Sequence, residues 1–154
     1  MSKITILENK KLRLINVLSK ELRNIQIEEI NNEIQSFINY LDISQIETKG
    51  PLITKNLGTQ ILNNGDISFD YDIMIQTIRK QTDHGLYKFH NQIVVGNCLY
   101  AHFEGRADEL SFAQGKINIH IWENDYVDLG EEYTVHLHSD EEWMEVDIFK
   151  PVER

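Results

Sequence analysis

The chain has one cysteine and two prolines in 154 residues, and its 15 lysines and arginines are outnumbered by 25 aspartates and glutamates. A lone Cys98 excludes an intramolecular disulfide and fits a reducing compartment. No apolar run approaches the ~20 residues that span a bilayer, and the opening MSKITILENKK lacks the apolar stretch of a signal peptide. The expected address is therefore the cytoplasm, with no membrane partner. The shortage of basic residues, a formal charge of −10, argues against a nucleic-acid-binding face, because such faces are built on Lys and Arg neutralising phosphates. It leaves room for a cationic ligand or a basic protein partner. The few prolines and glycines form no low-complexity linker. The length suits one domain that buries its core without disulfide or metal.

What is present is periodicity. Between Asn24 and Asp42, Ile27, Ile30, Ile34, Phe37, Ile38 and Leu41 recur at three- and four-residue steps, which predicts an amphipathic helix. Asn24 is a plausible N-cap, and Glu28 and Glu29 suit the positive end of the helix dipole. Lys11–Glu21 before it reads as a strand, and Leu52–Leu57 after the break at Lys49-Gly50-Pro51 as another. Asn63-Asn64-Gly65-Asp66 is a hairpin turn, since Asn and Gly tolerate positive φ. The strand that follows alternates, with Phe69, Tyr71, Ile73 and Ile75 on one face and Asp70, Asp72 and Met74 on the other.

The same order then recurs. Leu86–Val95 leads into a strand at Asn97–Phe103, and a helix opens at Gly105 with Ala107, Leu110, Ala113 or Gln114, Ile117 and Ile121 as its buried face. After the turn at Asp128-Leu129-Gly130, Glu131–His138 and Trp143–Phe149 read as a closing hairpin across Ser139–Glu142. Two successions of strand, helix, strand, strand predict an internal structural duplication, with pseudo-repeats at about 1–80 and 86–154 of a single domain.

The run Ile93-Val94-Val95-Gly96-Asn97-Cys98-Leu99-Tyr100-Ala101-His102-Phe103-Glu104-Gly105, the helix ending near Trp122, Gly130-Glu131-Glu132-Tyr133, and the closing strand from Trp143 to Pro151-Val152 resemble the second half of the gyrase-inhibitor-like effector-binding superfamily. That family shows an apolar-Pro-x-Gly entry to its strand, where this chain carries Val95 before Gly96. The first half fits more loosely, through Lys49-Gly50-Pro51. The resemblance implies an α+β fold of duplicated βαββ halves, a curved antiparallel sheet with two helices on one face and a central cleft on the other. It also implies an acidic residue in an aromatic-lined cleft that recognises apolar cations. The chain leaves no room for a helix-turn-helix before its first repeat, so a free-standing protein is expected.

On that resemblance Glu131, two residues before Tyr133, is the pocket carboxylate, with Glu132 as the fallback because strand alternation separates their faces. A carboxylate among aromatic rings offers a cation both Coulomb and ring-face attraction, the latter roughly 0.5–2 kcal/mol per good contact. The bland alternative is a pair of solvated glutamates after a glycine turn. Tyr133, Tyr100 and Tyr71 fall in strands and complete the expected ligand-binding set, although Tyr71 shares a face with Phe69 and Ile73 and equally suits a core position under a helix. If Leu99, Ala101 and Phe103 pack on a helix, Tyr100 must face the other way. Trp122 and Trp143 read as core or rim packing.

No cofactor and no metal are expected. His136 and His138, spaced by two, would share a strand face near Asp140, but that spacing alone is weak evidence for a metal. Cys98 and His102 lie four apart on a strand, about 13 Å, too far for a nucleophile and its base, so Cys98 reads as a buried free thiol. The Asp70/Asp72 pair reads as solvated. Three functions follow: a small-molecule sensor or sequestering protein for an apolar, possibly cationic ligand; an acidic module that docks a basic protein; or, third, a small-molecule hydrolase using Glu131 to activate water.

Overall fold

A computed structural model describes residues 4–154. The elements are β1 (Ile6–Ile25), α1 (Ile27–Ile43), β2 (Ile53–Ile61), β3 (Ile67–Gln76), β4 (Tyr87–Arg106), α2 (Leu110–Glu123), β5 (Val127–Asp128), β6 (Glu132–Ser139) and β7 (Trp143–Glu153), with one 3₁₀ turn at Ala107–Glu109 leading into α2. The class is α+β: antiparallel strands and two helices. No described helix is long and apolar enough to cross a membrane.

The chain divides into two compact units, Leu14–Ile93, and Val94–Arg154 with the described part of the first 13 residues. In the first unit the strand order is β4-β1-β3-β2, all antiparallel in the pairs that flank β3. The β2–β3 hairpin turns at Gly65, whose φ of +89° fits the Asn-Asn-Gly-Asp signal. Ile73 and Ile75 of β3 and Leu18 and Leu22 of β1 cluster under Phe37 and Leu41 of α1. Phe37 is fully buried, and a side chain of that size contributes about 1.5–3 kcal/mol by leaving water.

In the second unit β7 pairs with β4 on one side and β6 on the other, and its last residues pair with β5. Leu99, Ala101 and Phe103 of β4 and Val146 and Ile148 of β7 form the cluster that receives Ala113, Ile117 and Ile121 of α2. The helix opens at Leu110 and not at Gly105, which lies in β4, and Ala107 lies in the 3₁₀ turn; from Leu110 on the buried face is the predicted one, and Gln114 donates to Glu132 at 2.9 Å.

Several boundaries differ from the sequence reading. β1 and β4 are twenty residues each, longer than predicted, because asparagines at positive φ (Asn9, Asn16, Asn24 and Asn97) bend or bulge a strand without ending it. Asn24 is one of these, and its backbone N–H donates to the Asp70 carboxylate at 3.0 Å. It is therefore not the N-cap of α1, which is Gln26. Asp72 is not simply solvated either: Arg23 holds it at 2.8 Å. Trp122 is 81% exposed and packs in no core.

Candidate functional site

The face of the second unit's sheet that points away from α2 carries the chemistry. Since Leu99, Ala101 and Phe103 pack toward α2, alternation sends Tyr100, His102 and Glu104 to the opposite face. Register then sets their neighbours. Tyr100 lies opposite Phe149, which lies opposite Tyr133, so three rings form one cross-strand row. The next row is His102, Asp147 and Val135, and the one after it Glu104, Glu145 and His138. Such rows are the unit of side-chain contact in a sheet, with partners about 4.5–5.5 Å apart at Cβ.

Within these rows the contacts are specific. The Tyr100 and Phe149 rings meet at 5.0 Å and 54°, within the range of favourable tilted pairs. The Tyr100 hydroxyl donates to Asp147 Oδ1 at 2.6 Å, and His102 Nδ1 lies 2.7 Å from the same oxygen. Burial, with the Asp147 charge beside it, drives the Tyr100 phenol well above the ordinary tyrosine range, so it remains a hydrogen-bond donor at any physiological pH. His102 Nε2 is 3.2 Å from Glu145 Oε2. Asp147 is therefore the hub that holds a phenol and an imidazole in fixed orientation.

Of the residues expected from sequence, Tyr100 and Tyr133 fall in one row, and Tyr133 is buried at 4% exposure. Glu131 lies just before β6, half-buried. Its charge acts on Cys98: burial and that charge together push the thiol up to about 11. A thiol so placed stays protonated and unreactive, consistent with the reading of Cys98 as a buried free cysteine. Glu132, one residue on, accepts a hydrogen bond from Gln114 of α2 at 2.9 Å. Tyr71 belongs to the other unit, where it packs beside Phe69 against the cluster under α1.

The His136/His138 pair does not share a face. A bulge between them shifts the register, setting His136 opposite Val146 on the helix side and His138 opposite Glu145 on the other. Burial depresses the His136 pKa. Sequence reasoning passed over Asp147, Phe149 and Glu145. Alternation with Val146 and Ile148 carried the signal for them, once β7 was paired with β4.

A cavity of about 240 Å³ lies elsewhere in the same unit, lined by Glu8, Asn97, Tyr126 and Arg154 among others. It includes none of the four expected residues and is smaller than the ~300–1,000 Å³ of ordinary ligand pockets. Tyr126 donates to Glu8, which with the nearby His120 holds the Glu8 carboxyl below its usual range.

No protein-family profile and no curated protein sequence matches the chain. Solved structures do. The EcmrR–DNA complex matches at a TM-score of 0.72 and 14% identity, over 99% of this chain and 57% of EcmrR, and the EcmrR C-terminal domain alone matches at 0.71 and 14% over 99% and 98%. The chain thus spans little more than half of full-length EcmrR. A hydrolase encoded by lin2189 from Listeria innocua matches at 0.61 and 10%, over 98% of this chain and 92% of that one. SAV2435 bound to tetraphenylphosphonium matches at 0.52 and 10%, over 99% and 94%. Identities this low speak to architecture alone: the chain shares the α+β fold of the EcmrR C-terminal domain.

Proposed function

We propose that the protein binds a small apolar molecule, preferentially a cation, on the sheet face that carries Tyr100, Phe149 and Tyr133. The observation that supports this most is the cross-strand row of three rings with the Asp147 carboxylate in the adjoining row. Rings supply apolar area and negative ring faces; a carboxylate supplies charge where solvent is partly excluded. Glu131, close enough to act on Cys98, is the second acidic group and the expected ligand contact. The tetraphenylphosphonium on SAV2435, a protein of the same fold, is the chemistry that such a face suits.

The test is a thermal-shift titration with tetraphenylphosphonium, using tetraphenylborate as the control of like shape and opposite charge. At a ligand concentration of 100 Kd the stabilisation is about 2.7 kcal/mol, which for a chain of this size raises Tm by roughly 5–10 °C. Glu131→Gln and Tyr100→Leu should each remove most of that rise. Equal shifts from cation and anion would overturn the preference for positive charge. No shift from any of a panel of apolar cations would overturn ligand binding, in favour of the acidic surface docking a basic protein.

A further inference from the structure

The Asp147 row and the one beyond it share a second chemistry. His102, Glu104 and Glu145 each present one ligand atom, and the three atoms lie within 4.8 Å of one another. His102 Nδ1 is committed to Asp147 at 2.7 Å. If Nδ1 carries the hydrogen, Nε2 presents its lone pair toward Glu145 Oε2 at 3.2 Å. A lone pair and a carboxylate oxygen at that distance repel unless a positive charge sits between them, either a proton or a metal ion. A histidine whose second nitrogen donates to a carboxylate is the arrangement that orients imidazole for a metal and raises its basicity. The geometry points to a divalent transition-metal site, Zn(II) or an ion of similar preference, held by His102 Nε2, Glu104 and Glu145, with Asp147 as the positioning residue.

The distances fit this assignment. Metal–nitrogen and metal–oxygen bonds near 2.1 Å put ligand atoms about 3.4 Å apart in a tetrahedral shell. The His102–Glu145 pair already meets that spacing, and the Glu104 ligand atom lies within 4.8 Å of both. The sequence reading expected no metal, and the His136/His138 pair weighed there does not join this site, since the bulge in β6 turns His136 to the helix side. Three protein ligands leave a coordination position for water or a ligand donor atom, with His102 in the row next to Tyr100–Phe149–Tyr133 and Glu104 and Glu145 in the row after it. The three metal ligands lie outside that row of rings, and Asp147 is the one residue shared with the apolar-cation reading.

The full chain, stripped with chelator, would be titrated with Zn(II) against a chromophoric chelator, and with Co(II) for the d–d bands of a four-coordinate ion. We expect one equivalent of Zn(II), Co(II) bands of tetrahedral type, a loss of at least about 100-fold in affinity for His102→Gln, and about 10–100-fold for Glu104→Gln and Asp147→Asn. His84→Gln, in the other unit, should bind as wild type. Glu104→Gln alters an exposed side chain and keeps the test valid if His102→Gln fails to fold. Wild-type Zn(II) affinity in both His102→Gln and Glu104→Gln, or no binding by the wild type below ~100 µM, would overturn the site and leave a proton as what joins His102 to Glu145.

Discussion

In the unit Leu14–Ile93, two carboxylates on the sheet face away from α1, Asp72 and Glu21, are met by permanent cations. Arg23 binds Asp72 at 2.8 Å and reaches Glu21 at 3.6 Å, while Lys88 holds Glu21 at 3.1 Å and keeps its carboxyl below the usual range. In the other unit, the corresponding face meets Asp147 and Glu145 with a phenol and an imidazole. Guanidinium and ammonium groups cancel a carboxylate's charge at every physiological pH. A phenol orients a carboxylate and leaves its charge in place, and an imidazole can exchange its proton for a metal. The two units thus differ: one face carries its own ion pairs, and the other keeps carboxylate charge beside aromatic rings, the difference on which the proposed cation site rests.

The helix sides differ in another way. The fully buried side chain of α1 is the large Phe37, with Leu41 beside it, and those of α2 are the smaller Ala113 and Ile117. Phe37→Ala should therefore cost the most of any single change considered, about 3–5 kcal/mol in urea unfolding, against roughly 2–5 for Ile117→Ala. A smaller cost for Phe37→Ala than for Ile117→Ala would break this part of the comparison. Next in size is Tyr100→Phe, which deletes a hydrogen bond to a charged acceptor and should cost about 1.5–3 kcal/mol at neutral pH. It should also change the alkaline limb. The Tyr100 pKa is raised by folding, so its contribution is complete below the unfolded value near 10 and is lost as pH rises beyond it. Unfolding curves from about pH 9 to 11 should fall less steeply in the variant.

His136 sharpens the contrast from the acid side. Burial lowers its folded pKa, so the unfolded chain takes up the proton first, and stability present above ~6.5 is lost as pH falls toward the folded value. In His136→Gln the stability–pH curve should flatten below that point. An unchanged slope would show that the loss of stability arises elsewhere. The smallest effect is expected in the closed face: Glu21→Gln leaves Arg23 paired with Asp72 and, at a side chain 43% exposed, should cost no more than about 0.2–1 kcal/mol after solvent screening. A larger loss there would mean that the ion pairs of this unit are structural in a way its exposure does not suggest.

The element order and both helix faces were legible in the sequence because burial repeats at fixed periods: Phe37 and Leu41 on α1, and Ala113, Ile117 and Ile121 on α2, fall where 3.6-residue spacing puts them. The position of Tyr100 was legible for the same reason, through the two-residue period of Leu99, Ala101 and Phe103. Asparagine bulges were not. Asn24 carries the composition of a cap and serves as a strand bulge, and the irregularity in β6 separates His136 from His138 although two-residue spacing would place them together. Both depend on which strand lies alongside, information that no local period contains.

The sequence alone thus determined the α+β class, the recurrence of strand, helix, strand, strand, and the apolar side of each element, since these follow from side-chain size and spacing along one segment. Tertiary structure decided which groups meet. Asp147 joins Tyr100 and His102 across some 45 residues of chain, and Glu145 faces His102 only because β4 and β7 pair in one particular register. A slip of one residue would turn every one of these side chains to the helix side. Register is set by the packing of both strands on α2, and the chemistry of the opposite face follows from it.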